Sequence, residues 1–226
     1  MISQIKSEVS KLLCKDNSGH GMEHIERVLR LSLKFAEKED ADKTIVALIA
    51  LLHDVDDYKL FGEENAKNLI NAKKIMNLCN IDAEIQKIVC SELSKIGYSK
   101  RLNGIAPTTK EGKIVSDADM CDAVGVNGII RAHQYSLKMG CNFFDKNIFP
   151  KESVTESEYK NQPASTTVCH AFEKILKLKN LMLTESGKQE ATERHNITVD
   201  LLNHLFDEED APEWKIYLKN FLDNQK

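Results

Sequence analysis

His53 and Asp54 stand side by side at the end of the apolar run 45–52. An imidazole and a carboxylate beside a helix that apolar need partners, because an unpaired buried charge is costly. A divalent cation is one solution, since imidazole nitrogen and carboxylate oxygen are both ligands it accepts. Adjacent helical positions diverge by about 100°, so the two side chains can flank one ion at a helix end. A capped helix end or a buried hydrogen bond is the commoner use of such a pair. Two further places add to it. His24 opens the stretch His24-Ile25-Glu26-Arg27-Val28, and Asp117, Asp119 and Asp122 punctuate the otherwise apolar stretch 114–123. Acids on an apolar face again ask for cations. In chain order the pattern is H…HD…D. Its chemistry would be metal-assisted hydrolysis, in which a bound water is acidified and aimed at an electrophile.

The sequence resembles the HD-domain metal-dependent phosphohydrolase superfamily, and more closely its small bacterial-type members, whose pattern is HDxxHxxRV…ALLHDxxDxK…IVxDADxLDAxGxxGIxRA. The matching stretches are 20–28 (HGMEHIERV), 50–59 (ALLHDVDDYK) and 113–132. A fourth begins at 170–178 (HAFEKILKL) and continues through Met182, Thr184, Gly187, Lys188, Ala191, Arg194 and His195. The likeness runs from about residue 18 to 208. An HD dipeptide alone is a weak signal, whereas four ordered blocks are a strong one.

That resemblance implies one divalent metal ion held by His24, His53, Asp54 and an aspartate of the third block. Asp119 is the expected fourth ligand. Asp117 is its competitor, or else supports the substrate side. Manganese is the favoured ion, with magnesium, iron, cobalt and nickel compatible with the same ligands. Asp57 is implied as the acid that orients or deprotonates water, with Lys59 as its catalytic companion. Arg27, Arg131, His170, Lys174 and Lys177 are implied as substrate-binding groups, although any one of them taken singly also fits an ordinary surface or core position. No histidine lies between Asp54 and His133. Relatives with two metals need histidines there, so the resemblance implies a mononuclear site and hydrolysis rather than oxygen chemistry. Two places depart from the pattern. Gly21 replaces the usual aspartate, and the region around Ile96 lacks a histidine that relatives often carry.

The implied function is hydrolysis of a nucleotide or another small phosphate ester or anhydride, by metal-activated water attack on phosphorus. Pyrophosphate release from a nucleoside triphosphate is one such reaction. The two departures motivate an alternative: a catalytically weak or inactive sensor that binds metal and nucleotide.

Helices must position these residues. The 226 residues include only 10 glycines and 4 prolines, with no proline before Pro107. A sandwich or barrel needs turn signals every ten residues or so, so the expected class is all-α, a single helical bundle of the HD type. Helical spacing predicts elements at 2–13, 22–38, 44–54, 63–78, 83–96, 113–139, 166–178 and 190–206, and a last one at about 212–223. The segment 44–54 is apolar on all sides and reads as the buried centre. Residues 97–112 read as a loop, and 140–164 as a long lid-like excursion. Gly125 and Gly128 inside a helix each cost about 1 kcal/mol, which close approach of another helix or a ligand would explain. One domain over 1–226 is expected, with its core at about 18–208.

The formal net charge is -4 and the pI about 6.0, which argues against a nucleic-acid or anionic-membrane partner. The six cysteines form no C-x-x-C pair and fit buried free thiols in a reducing compartment. No apolar run approaches the roughly 20 residues of a membrane span. A cytoplasmic monomer or homodimer with a small phosphorylated partner, a nucleotide by resemblance, is expected.

Overall fold

The computed structural model describes residues 1–14, 21–151 and 165–225, and among them it holds helices and no strand. They group into two compact units, one of residues 1–122 with 183–187, the other of 123–182 with 188–226.

The first unit is built around α3 (Lys43–Leu52), on which every residue from Val46 to Leu52 is buried. Asp42 starts it by accepting the backbone N–H groups of Thr44 at 2.7 Å and Ile45 at 3.1 Å, as an N-cap should. Around it pack α1 (Ile2–Leu13), α2 (Met22–Lys38), α6 (Ala83–Leu93) and α8 (Lys110–Asp122). On α2 the buried positions His24, Ile25, Val28, Leu31, Ser32, Phe35 and Ala36 recur at three- and four-residue spacing and form one stripe.

Four expected elements differ. The predicted helix 63–78 is two helices, α4 (Tyr58–Asn68) and α5 (Ile70–Leu78), broken where Leu69 takes the left-handed φ of 52°. The stretch 97–112 includes a short helix, α7 (Tyr98–Leu102). The predicted helix 113–139 is likewise two, α8 and α9 (Gly125–Lys138). Gly125 starts α9 at φ +82°, and a Cβ on Gly128 would strike the carbonyl of Ala123. The close neighbour of Gly128 is therefore the chain's own preceding turn. The predicted helix 166–178 is α10 (Thr167–Glu173) followed by a 3-10 segment, Ile175–Leu181.

The second unit holds α9, α10, most of α11 (Glu185–Glu208) and α12 (Pro212–Asp223). Trp214 is fully buried at its centre. It stacks on Phe149 at 4.6 Å, meets Phe144 edge-on at 5.2 Å and donates to the carbonyl of Lys146 at 3.1 Å. The described part of the excursion, 140–151, thus lies against Trp214 through Phe144 and Phe149, with Phe149 still 44% exposed; the rest, 152–164, lies outside the described residues. All six cysteines are free thiols. Among the described residues no helix is long and apolar enough to cross a membrane.

Candidate metal centre

Three elements of the first unit bring the expected ligands together. His24 sits in the first turn of α2, His53 and Asp54 follow the last residue of α3, and Asp119 lies on α8. α2, α3 and α8 pack on one another. His24 Nε2 lies 3.0 Å from His53 Nε2. It is 3.4 Å from Asp54 Oδ2 and 3.4 Å from Asp119 Oδ1. His53 Nε2 is 3.6 Å and 3.8 Å from the same two oxygens. Ligands about 2.1 Å from a common ion lie at most about 4.2 Å from one another, so the spacing of the two rings from each other and from each carboxylate is compatible with a cation between them. Among the described residues His24, His53 and Asp119 form the one group of three or more such side chains close enough to hold an ion.

The protons are placed by what lies behind each ring. His53 Nδ1 is 2.8 Å from the carbonyl of Ala50, which can only accept, so Nδ1 carries the hydrogen and Nε2 a lone pair. His24 Nδ1 is 2.7 Å from Asp122 Oδ2. Asp122 also accepts Arg27 Nε at 2.7 Å and Nη2 at 3.0 Å, which keeps it ionised and puts a hydrogen on His24 Nδ1 as well. Both Nε2 lone pairs then face two carboxylate oxygens. Four electron-pair donors converge, an arrangement that a cation resolves.

Asp117 is placed elsewhere. It is fully buried and accepts Leu183 N–H at 2.9 Å, and Thr184 N–H and Oγ1 each at 2.8 Å. Burial dominates over these bonds and raises its pKa. Its work in the structure is to hold the segment that starts α11. Arg27, expected on a phosphate, is paired with Asp122, and that hydrogen bond raises its own pKa. Asp57 is the N-cap of α4, its Oδ1 accepting Lys59 N–H at 2.9 Å, while Lys59 Nζ lies 5.9 Å from the Tyr58 ring centre. Arg131, His170, Lys174 and Lys177 belong to the second unit, each half-buried, on α9, α10, the C-cap of α10 and the 3-10 segment respectively. His20 falls among 15–20, outside the described residues.

Asp122 is the residue whose role sequence reasoning missed. The signal was there in the register. His24 and Arg27 are three apart on α2, Asp119 and Asp122 three apart on α8, so each pair shares a helix face and the two faces meet.

Residues 21–124 match the family model of the HD domain. YpgQ of Bacillus subtilis (strain 168) is 30% identical over 210 residues, 92% of this chain and 93% of YpgQ. The chain belongs to the HD-domain phosphohydrolase superfamily. Solved structures agree in fold. A protein from Lactobacillus plantarum superposes with a TM-score of 0.78 at 33% identity, covering 95% of this chain and 97% of its own. An HD-superfamily hydrolase from Bacillus thuringiensis does so with 0.71 at 30%, covering 93% and 97%. YpgQ in complex with ADP gives 0.67 at 28%, covering 92% and 97%. The HD-domain match spans all four converging side chains and Asp122.

Proposed function

We propose that this HD-domain protein is a metal-dependent phosphohydrolase whose substrate is a nucleotide. One observation carries the reading: the ring and carboxylate atoms of His24, His53, Asp54 and Asp119 converge, with Asp122 and the Ala50 carbonyl engaging Nδ1 on the far side of each ring. Two neutral imidazoles and two carboxylates balance the charge of a divalent cation. Such an ion, once bound, supplies a Lewis acid and a water acidified towards neutral pH. The chain's own groups do the rest. Asp122 and the Ala50 carbonyl hold the two rings in the tautomer that presents Nε2. Asp57 lies three residues beyond Asp54 on the same turn, with its carboxylate held by Lys59 N–H. It accepts the proton from the attacking water. The Lys59 ammonium neutralises phosphate charge. The nucleotide is supported by the ADP complex of YpgQ, and a divalent cation by a donor set of mixed nitrogen and oxygen that accepts manganese, magnesium, iron, cobalt or nickel alike.

The test is a panel of nucleoside mono-, di- and triphosphates, assayed with chelator-stripped and manganese-loaded protein and with product identification. Loaded protein is expected to hydrolyse at least one substrate, and His53→Ala to abolish turnover. Equal rates from stripped and loaded protein would overturn the mechanism. Stabilisation by ADP with no turnover on the whole panel would replace it with the sensor reading.

A further inference from the structure

The turn that delivers His53 and Asp54 is tied both to its own backbone and to a distant helix. Val55 N–H reaches the Leu52 carbonyl at 3.4 Å, and Asp57 N–H the Asp54 carbonyl at 3.2 Å. Beyond its bonds to α3 and to the start of α4, its short bonds go to α5. Asp56, 5% exposed, accepts Asn71 N–H at 2.8 Å and Ala72 N–H at 2.9 Å. In return Asn71 Nδ2 donates to the Val55 carbonyl at 2.8 Å. This explains the break at Leu69. A helix start leaves orphan N–H groups, and Leu69, standing at the N-cap, makes no side-chain cap bond. Asp56 caps α5 from thirteen positions earlier in the chain, and the break at Leu69 exposes the N–H groups it needs.

We propose that Asp56 and Asn71 form a positioning clasp for the metal centre, holding the 53–57 turn so that His53 Nε2 and Asp54 Oδ2 face His24 and Asp119. Neither residue touches the cluster; both act through the backbone that carries it. The inference rests on the metal-centre reading above. Outer groups that orient ligands typically govern metal affinity by about 10–100-fold, so the clasp is read out as affinity for Mn²⁺ rather than as fold stability alone.

The experiment is calorimetric titration of the full chain with Mn²⁺ at 25 °C, beside thermal melts of the metal-free proteins. Asp56→Ala is expected to bind Mn²⁺ about tenfold or more weakly. Asn71→Ala, which removes one bond from a half-buried residue, should lose about threefold with a small change in Tm. Asp56→Asn, which keeps one acceptor oxygen, should fall between wild type and Asp56→Ala. Val9→Ala, a core truncation on α1, supplies a matched loss of stability and should leave affinity unchanged. Should Asp56→Ala fail to fold, Asn71→Ala against Val9→Ala decides the matter. Wild type that takes up no Mn²⁺ overturns the metal centre and this proposal together. Wild type that binds Mn²⁺, with clasp variants no weaker than Val9→Ala, overturns the clasp alone.

Discussion

A histidine presents one nitrogen to a cation, and the group behind the ring decides which. For His24 that group is Asp122, itself 2% exposed and fixed by Arg27. Asp122→Ala should therefore weaken Mn²⁺ binding by about 10–100-fold, and Asp122→Asn, whose amide oxygen still accepts the Nδ1 hydrogen, by less. Titration calorimetry checks the order, and Asp122→Ala binding as well as wild type would refute the role. His195 shows the opposite use of an imidazole. It is 2% exposed, and its Nδ1 has no hydrogen-bond partner. Burial, with help from Lys179, lowers its pKa from 6.5 to about 4. The folded protein therefore keeps it neutral while the unfolded chain takes up a proton below pH 6.5. The native advantage is complete above pH 6.5 and is lost as pH falls towards 4. Between pH 7 and pH 5 the loss is about 2 kcal/mol. Denaturant titrations at the two pH values should show that loss shrinking by about this amount in His195→Gln; an unchanged loss would refute the assignment.

At the scale of elements, the start of α11 rests on α8. Thr184 accepts Gly187 N–H at 3.0 Å and donates to Asp117. A Cβ on Gly187 would lie 2.7 Å from both Cβ and Cγ of that buried carboxylate. Helix propensity alone says that Gly187→Ala stabilises by about 1 kcal/mol. Overpacking of about 1–3 kcal/mol acts against it, on an aspartate already fixed by its bonds to Leu183 and Thr184. The expected result is net destabilisation of about 1 kcal/mol, and a rise in the denaturation midpoint would refute it. This cap was hidden in the sequence because it joins residues 66 positions apart. Elements with strong amphipathic periods were readable: the helices at 2–13 and 22–38 have the expected bounds, and α3 ends one residue before His53. The break at Leu69 was not, since leucine carries no turn signal and the apolar period runs through it. The convergence of His24, His53 and Asp119 was legible because metal chemistry restricts residue types. The pairing of Arg27 with Asp122 was not legible, because nothing in its spacing distinguishes an arginine on phosphate from one on a carboxylate of another helix.

At the scale of the molecule, the two units are joined by more than a linker. The chain passes from one to the other at 122–123, 182–183 and 187–188, and α11 runs unbroken through the last of these. Loss of the first unit alone would unfold 183–187 between two stretches of chain that belong to the second. A single cooperative transition is therefore expected. Trp214, the one tryptophan, is fully buried in the second unit, while the candidate metal ligands all lie in the first. Fluorescence thus reports on the second unit, while far-ultraviolet circular dichroism reports on the helices of both. A ligand that binds only the native state stabilises it by about 2.7 kcal/mol at 100 times its Kd. If the units unfold together, Mn²⁺ at that excess moves the Trp214 fluorescence transition by the same amount as the dichroism transition, although the ion binds elsewhere. A fluorescence midpoint that stays fixed while the dichroism curve divides into two steps would show instead that each unit unfolds on its own.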